Sequence, residues 1–248
     1  MDHTRVALVT GAGRNLGRAI AVAFAQAGHD VAVNAHGDGA ATEEVAAAVR
    51  ALGRRAVVVL ANVADEDAVT KMFASVRTAL GPVDILVNNA GPRSEMPFEQ
   101  LTRATWDAVV EPILGGAFYC CQCAVPGMRT QGWGRIINIL GAIAHAGQPH
   151  RAHLAAAKGG LLGLTRALAA ELGPHGITVN GVSPGPLDTI APPGLDPEIR
   201  LRRAREKPIP RLGLPREVAA LVTFLASEQG AFITGQALAC NGGEVMLG

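Results

Sequence analysis

The sequence predicts an α/β fold in which one doubly wound, parallel, seven-stranded sheet is covered by helices on both faces. Two observations indicate this fold. Short apolar runs alternate with stretches whose apolar residues recur three and four positions apart, and the alternation continues along the whole chain. Such alternation is typical of right-handed crossovers between parallel strands. The expected strands are Val6–Val9, 31–34, Ala56–Leu60, 84–87, 135–139, 178–182 and Ala237–Cys240.

The bulk composition suits a single large domain. The chain has 248 residues, of which 49% are hydrophobic, and this is enough for a sizeable core. No linker or repeat divides it, so residues 1–248 are expected to form one domain. The one irregular region lies between Pro184 and Pro215, is rich in Pro and Arg, and predicts a loop with a short helix near Pro197–Arg205.

Charge and hydropathy argue against several partners. With 17% charged residues and a formal net charge of +1, we expect no nucleic-acid partner and no membrane-surface partner. No apolar run approaches the roughly 18 residues of a membrane span, and the first residues carry no signal-peptide pattern. Cys120, Cys121 and Cys123 match no zinc or redox spacing. The sequence therefore predicts a cytoplasmic protein with no metal site.

A glycine-rich turn follows the first expected strand and opens a helix. Its sequence runs Thr10-Gly-Ala-Gly-Arg-Asn-Leu-Gly17. Glycines let the backbone turn sharply and approach a pyrophosphate, and the helix N-terminus supplies N–H groups and the positive end of its dipole. The strand–turn–helix context makes this a strong indication of dinucleotide binding.

Three further segments extend this pattern along the chain. They are Asn62-Val63 after the third strand, Asn88-Asn-Ala-Gly91 after the fourth, and Asn180-Gly-Val-Ser-Pro-Gly185. Together with the glycine-rich turn, they make the chain similar to the short-chain dehydrogenase/reductase family, whose Rossmann-type domain binds NAD(P). The tail from Phe232 to Gly243 resembles the family's 3-ketoacyl-carrier-protein reductase branch.

The resemblance implies a set of cofactor-binding residues and a substrate-loop insertion at about residues 186–214. Asn15 stands where the family has its middle glycine, and Asn tolerates left-handed backbone angles better than most residues. The implied contacts to the cofactor come from Gly11, Arg14, Asn15, Leu16, Gly17, His36, Asn62, Val63, Asn89, Ala90, Gly91, Lys158, Pro184, Gly185, Leu187 and Thr189.

The end of the second strand favours NADP(H) over NAD(H). NAD-binding relatives carry an acidic residue there for the ribose 2′-hydroxyl. This chain reads Val33-Asn-Ala-His-Gly37, with no carboxylate. Arg14 and His36 are available to face a 2′-phosphate, although both also suit a solvated surface.

The positions of the family's catalytic residues are unusual. The family uses a Tyr as general acid/base, a Lys one helical turn later, a Ser that polarises the carbonyl, and an Asn on the preceding long helix. Lys158 matches the Lys, whereas Leu154 stands at the Tyr position, Gly141 at the Ser position and Ile113 at the Asn position. A register slip would place Leu140 rather than Gly141 at the Ser position. Losing a positioned general acid commonly costs about 10²- to 10⁴-fold in rate.

Histidines near this region are candidate replacements, because imidazole titrates near neutrality. If Leu154 faces the cleft, His150 lies four residues earlier on the same helical face. His145 lies on the loop that follows the missing Ser and is the next candidate. Tyr119, the only tyrosine, is expected to point away. A purely structural role for both histidines stays open.

Three functions remain possible at this point. The first is an atypical NADP-dependent oxidoreductase with a substituted mechanism. The second is a non-redox enzyme for proton transfer, dehydration or carbon–carbon cleavage. The third is a non-catalytic nucleotide-binding subunit. The family usually pairs through its two long central helices, here residues 105–128 and 150–172, so a homotetramer or homodimer is expected.

Overall fold

The computed structural model describes residues 4–190 and 197–246. Seven strands form one sheet in the order β3-β2-β1-β4-β5-β6-β7, and every neighbouring pair is parallel. This confirms the predicted single-domain, doubly wound α/β fold. The strands are β1 Val6–Val9, β2 Asp30–Ala35, β3 Ala56–Leu60, β4 Ile85–Asn88, β5 Gly134–Ile139, β6 Ile177–Pro184 and β7 Ala237–Cys240.

Helices connect the strands on both faces. They are α1 Asn15–Gln26, α2 Gly39–Ala51, α3 Glu66–Ala79, α4 Arg103–Val110, α5 Gly116–Gln131, α6 Ala152–Leu172, α7 Pro197–Arg205 and α8 Pro215–Ala226. Short 3₁₀ turns lie at Phe98–Gln100, Ala142–Ala144, Gly173–His175 and Glu228–Gly230. Helix α7 confirms the short helix expected near the end of the irregular region. Residues 191–196 lie outside the described residues, so the extent of the insertion at about 186–214 stays a prediction.

Apolar side chains divide into two large clusters, one on each face of the sheet. On one face, α1, α2 and α8 pack on the strands around Phe24 and Val222. On the other face, α3, α5 and the C-terminal half of α6 pack around Met72 and Met128. The strands are therefore buried on both sides, which explains why β1 and the first three residues of β4 read as continuous apolar runs.

A π-helical segment, Glu111–Gly115, joins α4 to α5. Pro112 has no N–H to donate to the preceding turn, and such breaks in the hydrogen-bond ladder favour a wider turn. The whole run Arg103–Gln131 has the length and the mean hydropathy, 1.4, of a candidate membrane span, and 39% of its apolar window is buried. It packs on α3 and on β4 and β5. The expectation of no membrane partner stays a prediction.

Candidate functional site

The glycine-rich turn has the backbone geometry that close approach of a ligand requires. Gly11 and Asn15 both adopt left-handed angles, with φ of +61° and +52°. The expectation that Asn tolerates this conformation at position 15 is therefore confirmed. At Gly17 there is no room for a side chain, because a Cβ atom would lie 2.8 Å from the Ala12 Cα and 2.7 Å from the Asn89 Nδ2.

Hydrogen bonds from two neighbouring strands hold this turn in place. The Gly11 N–H donates to Asn34 Oδ1 on β2 (3.3 Å), and the Ala12 N–H donates to the Asn34 carbonyl (2.7 Å). Asn89, just after β4, donates from Nδ2 to the carbonyls of Thr10 (2.8 Å) and Gly11 (3.0 Å). Thr10 Oγ1 in turn accepts the backbone N–H groups of Asn89 and Ala90 at 2.9 and 3.0 Å. The turn is thus fixed before any ligand arrives.

The first turn of α1 offers unused donors at the same place. Arg14 is the N-cap residue, has extended backbone angles, and provides no side-chain cap. The first N–H groups of a helix have no acceptor within the helix. Those of α1, which include Leu16 and Gly17, therefore point towards the space above the turn and suit a pyrophosphate. This observation shows that the residues present fit a dinucleotide.

The end of β2 lies beside the turn, because β1 and β2 are paired in register from Val6 and Asp30 to Val9 and Val33. Arg14 and His36 are both exposed there, and within the described residues neither side chain has an ion-pair or hydrogen-bond partner. The nearest carboxylate along the chain, Asp38, accepts the Ala41 N–H at 3.1 Å and caps α2. It is therefore engaged in holding that helix.

The turn after β3 places Asn62 and Val63 at the same edge of the sheet. Asn62 Oδ1 accepts the Ala64 N–H at 3.1 Å, which fixes the turn. Val63 is buried against Gly116 at the start of α5, where a Cβ atom would lie 2.8 Å from Val63 Cγ2. Both residues therefore lie where the resemblance predicts them, at the carboxyl end of β3.

Ile113 fills the space beside Gly91. A Cβ atom on Gly91 would lie 2.7 Å from Ile113 Cγ1. Ile113 belongs to a buried apolar cluster that also contains Leu154 and Leu140. The other buried members of this cluster, called the α6 cluster below, are Val109, Ala117, Ile143, Ala157, Leu161 and Leu162. The three side chains at or beside the positions of the family's Asn, Tyr and Ser are thus packed in one apolar group.

Gly141 differs from the other glycines of this region in its backbone. Its φ is +92° and its ψ is 158°, a conformation that side chains rarely adopt. A Ser at this position would therefore be strained, although the space around a Cβ atom is open except for Ile143 at 3.9 Å. Gly141 therefore supplies no hydroxyl group, and its positive φ disfavours a residue with a side chain there.

Lys158 is a buried amine beside the α6 cluster. Its Nζ donates to the Ile139 carbonyl at 2.5 Å, and only 9% of the residue is exposed. Burial lowers the pKa of Lys158 to about 8. Because the shift is downward, the ammonium form dominates below about pH 8 and the free amine dominates above it.

His145 is held by a buried serine near the C-terminal end of β6. Its Nε2 lies 2.8 Å from Ser183 Oγ, and Ser183 is fully buried. Burial and, to a lesser degree, the positive charge of Arg166 lower the pKa of His145. The imidazole is therefore kept neutral to a lower pH than an exposed histidine. Ser183 directly precedes the Pro184-Gly185 segment, so this pair lies at the carboxyl ends of β5 and β6.

The structure contradicts the expected position of His150. This residue lies before α6, which begins at Ala152, and its φ of +61° is left-handed. The prediction that it shares a helical face with Leu154 is wrong. Its carbonyl accepts the Met96 N–H at 2.7 Å, and its side chain is exposed. His150 thus joins the loop after β4 to the loop after β5 through its backbone.

Two other side chains clarify this region. Tyr119 packs beside the cluster on the α3 face and not in the α6 cluster, in agreement with the prediction that it points away. His153 is fully buried, and neither ring nitrogen has a hydrogen-bond partner within the described residues. Burial lowers the pKa of His153, so the neutral ring is favoured.

The segment after β6 closes the site. The Gly185 N–H donates to the Cys240 carbonyl at 3.3 Å, and a Cβ atom on Gly185 would lie 2.8 Å from the Asn241 Cα. Leu187 is buried and pairs with Gly213, and Thr189 Oγ1 donates to the Leu187 carbonyl at 3.4 Å. Pro184, Gly185, Leu187 and Thr189 therefore lie in one segment that continues from the edge at which β1, β4 and β5 also end.

Sequence reasoning missed two of these polar residues. Ser183 and Asn34 were not singled out, although each is the partner of a candidate residue. Their contacts, His145 to Ser183 and Gly11 to Asn34, span 38 and 23 positions of the chain. A polar residue inside an otherwise apolar strand was the available signal for both. In the described part of the chain, no group of three or more His, Cys, Asp or Glu residues could hold a metal ion.

The parallel sheet and the glycine-rich turn define a dinucleotide-binding α/β protein. Residues 11–244 match the family described as Enoyl-(Acyl carrier protein) reductase. The chain is 39% identical over 246 residues to the 3-oxoacyl-acyl-carrier-protein reductase FabG of Staphylococcus aureus, covering 99% of this chain and 100% of that one. It is 36% identical over 239 residues to the acetoacetyl-CoA reductase of Cupriavidus necator, covering 96% and 97%.

A solved structure agrees with these relatives. The acetoin dehydrogenase YohF of Salmonella typhimurium superimposes with a TM-score of 0.89 and 35% identity, over 97% of this chain and 96% of that chain. The chain belongs to the short-chain dehydrogenase/reductase family of oxidoreductases, and it lies near the family's ketoacyl reductase branch.

Proposed function

We propose that this protein is an NADP(H)-dependent oxidoreductase whose proton-handling group differs from the family's tyrosine. The observation that carries the proposal is the contrast within one cleft. The dinucleotide turn is fully held by Asn34, Asn89 and Thr10. Beside it, Leu154 and Ile113 belong to an apolar cluster that supplies neither a proton nor a hydrogen bond.

The nicotinamide cofactor would be held by this chain's own groups. The first-turn N–H groups of α1 would bind the pyrophosphate, and by resemblance to the family Val63 and Asn62 would lie on the adenine side. When bound, the cofactor supplies or accepts a hydride. NADP(H) is preferred because Arg14 and His36 are exposed beside the end of β2, and the strand itself ends without the carboxylate that would bind a ribose 2′-hydroxyl.

Lys158 would then hold the ribose, and His145 would transfer the proton. The family resemblance places Lys158 at the ribose, and its ammonium form is dominant at neutral pH because its pKa is about 8. His145 is neutral there, because its pKa is lowered by burial. A neutral imidazole whose Nε2 is held by Ser183 can accept a proton from a substrate hydroxyl or return it to a carbonyl. His145 is thus a better candidate than His150, whose ring is exposed.

The experiment is turnover of NADPH, and of NADP⁺ in the reverse direction, against a panel of carbonyl and hydroxyl substrates. His145→Ala should lower kcat by about 10²-fold or more, with nucleotide affinity nearly unchanged. Ser183→Ala should lower kcat by a smaller factor, because it releases the ring without removing it. His175→Ala, a change at an exposed histidine in the turn after α6, is the matched control and should have no effect.

The pH profile gives a second readout. Activity in the oxidation direction needs the neutral imidazole, so kcat should fall as the pH drops through the lowered pKa of His145. The His145→Ala variant should lose this acidic limb. Unchanged turnover in both His145→Ala and His150→Ala would contradict the assignment of either histidine.

A non-redox enzyme is a second candidate, and Lys158 favours it. A buried amine with a pKa of about 8 can act as a base or a nucleophile near neutral pH. Product formation without net consumption of NADPH would support this function. A tight partner without any turnover would instead support a non-catalytic nucleotide-binding subunit.

We also propose a homotetramer or homodimer in the cytoplasm, assembled through the α4–α5 run and α6. Both are rich in small and apolar residues, and Phe118 on α5 is 45% exposed in the single chain. Light scattering at low micromolar concentration should therefore give a multiple of 25.5 kDa. A particle of the single-chain mass would contradict this.

A further inference from the structure

We propose that Asn15 is a positioning residue that joins the dinucleotide turn to the segment after β6. Asn15 Oδ1 accepts the backbone N–H of Ile190 at 3.0 Å, across 175 positions of the chain. Among the described residues, no other side chain of the turn forms a hydrogen bond to that segment. A glycine, which the family has at this position, would offer no such acceptor.

The backbone of Asn15 makes this contact possible. With a φ of +52°, the residue is left-handed, and Asn is one of the few side chains that adopt this region readily. It is also the first residue of α1. The carboxamide therefore leaves the turn beside the unused N–H groups of α1, where a dinucleotide phosphate would lie.

The position of the Ile190 backbone depends on this hydrogen bond. The Ile190 side chain is 70% exposed and gives little packing to hold the backbone in place. Two residues earlier, the Asp188 N–H donates to the Gly213 carbonyl at 2.7 Å. The Asn15 side chain is thus one of the groups that hold this backbone, together with the Gly213 carbonyl.

The two ends of the carboxamide have different roles. Since Oδ1 is engaged by Ile190, the Nδ2 group is the end left to donate, and within the described residues it has no acceptor. Asn15 would give this donor to a phosphate while holding Ile190. Binding of the dinucleotide and ordering of residues 187–190 would then be linked, and such linkage is reciprocal. This second step rests on the proposed NADP(H) binding, whereas the contact to Ile190 does not.

The test is amide hydrogen exchange by NMR, with the Asp188 amide as an internal reference. In the protein without nucleotide, Asn15→Gly keeps the left-handed backbone but removes the acceptor. The Ile190 amide should then exchange about fivefold to tenfold faster, while Asp188 is unchanged. Asn15→Asp keeps an oxygen acceptor and should leave Ile190 protected. Equal Ile190 exchange in the unmodified protein and in Asn15→Gly would overturn the tether.

Nucleotide binding tests the linkage. NADPH should slow Ile190 exchange in the unmodified protein by a larger factor than in Asn15→Gly. By calorimetry, Asn15→Gly should bind NADPH about fivefold to tenfold more weakly, because the donor is lost. Asn15→Asp should also bind NADPH more weakly, since a carboxylate repels the phosphates. An equal slowing of Ile190 in both proteins would overturn the linkage. If the unmodified protein binds no nucleotide, the proposed function fails and the linkage with it, while exchange without nucleotide still decides the tether.

Discussion

The two halves of the cleft differ in how their side chains are used. At the ends of β1, β2 and β4, Asn34 and Asn89 bond to the backbone of the glycine-rich turn, and Thr10 Oγ1 in the turn accepts the Ala90 N–H. Leu140, just after β5, and Leu154, in the first turn of α6, are packed in an apolar cluster. The first half is preorganised to bind an anion, whereas Leu154 and Leu140 in the second half carry no hydroxyl group.

Nucleotide binding and proton transfer depend on different groups in this fold. The first depends on backbone N–H groups and on the absence of side chains at Gly11 and Gly17. The second depends on side-chain hydroxyls carried by other elements. Leu154 on α6 can donate no proton, and it takes no part in the hydrogen bonds of Asn34 and Asn89 that hold the turn.

The largest effect is expected where the nucleotide half has no spare room. In Gly17→Ala, the new methyl group would meet the backbone at Ala12 and the Asn89 amide. NADPH affinity should fall by about 10²-fold or more, because the turn must move. Gly147→Ala is the matched control, since Gly147 is exposed in the loop after β5 with no atom within 4 Å of a Cβ. It should retain NADPH affinity. Equal affinities in the two variants would contradict the tight-turn account.

Lys158→Met tests whether burial of the Lys158 ammonium group in the catalytic half lowers the free energy of unfolding. The folded state raises the free energy of the Lys158 cation through burial, so removing the charge should raise the free energy of unfolding at pH 7 by roughly 1–3 kcal/mol. Denaturant unfolding measures this change. Lys71→Met, at an exposed lysine of α3, is the control and should change stability little.

The pH dependence fixes the sign of this effect. The folded pKa of Lys158, about 8, lies below its ordinary value of 10.5, so the unfolded chain binds more protons between these values. Stability of the unmodified protein should therefore rise with pH across this window, and the advantage of Lys158→Met should shrink. An advantage that is constant from pH 7 to pH 10 would show that burial of the charge is not its cause.

Arg14→Ala tests the cofactor preference of the nucleotide-binding half. If the exposed guanidinium faces a 2′-phosphate, the preference for NADPH over NADH should narrow by about fivefold to tenfold, with NADH affinity nearly constant. Calorimetry with both nucleotides measures the two constants. Arg18→Ala, a change at the next exposed arginine of α1, is the control. A preference that is unchanged in Arg14→Ala would remove the role given to this residue.

The smallest effects are expected from substitutions of His150. Comparing Gly and Ala at this position separates the role of the backbone conformation from that of the imidazole ring. Because φ is +61°, His150→Gly should keep stability or raise it slightly, whereas His150→Ala should lose about 0.5–1 kcal/mol. Turnover should be the same in both variants. A large loss of kcat in His150→Gly, with stability intact, would restore this ring as the proton-handling group.

Much of the fold was accessible from the sequence, because both sheet faces are buried and apolar runs mark the strands. Three predicted strands, β1, β3 and β7, have the observed bounds. The start of α6 was misjudged because no Ser, Thr, Asp or Asn caps it. Arg151 is the N-cap residue and provides no side-chain bond, so nothing in the local pattern separates His150 from the helix.

The site was predicted unevenly for a related reason. Gly11 and Asn15 act through their own backbone angles, and Gly17 acts through the absence of a side chain, so residue type indicates all three directly. The pairing of His145 with Ser183 and of Asn15 with Ile190 depends on the sheet bringing distant segments together. No local spacing encodes such contacts. The π-helical turn at Pro112 is intermediate, since proline predicts a break but not its form.

The central claim is that the protein binds the dinucleotide while the family's proton transfer is disabled. The most direct measurement is NADPH oxidation with a simple β-ketoester, on protein shown by calorimetry to have bound NADPH, beside a 3-oxoacyl-acyl-carrier-protein reductase under the same conditions. The account predicts a kcat at least about 10²-fold below that of the reductase, because Leu154 cannot deliver a proton. Reduction at the same rate as the reductase would contradict it.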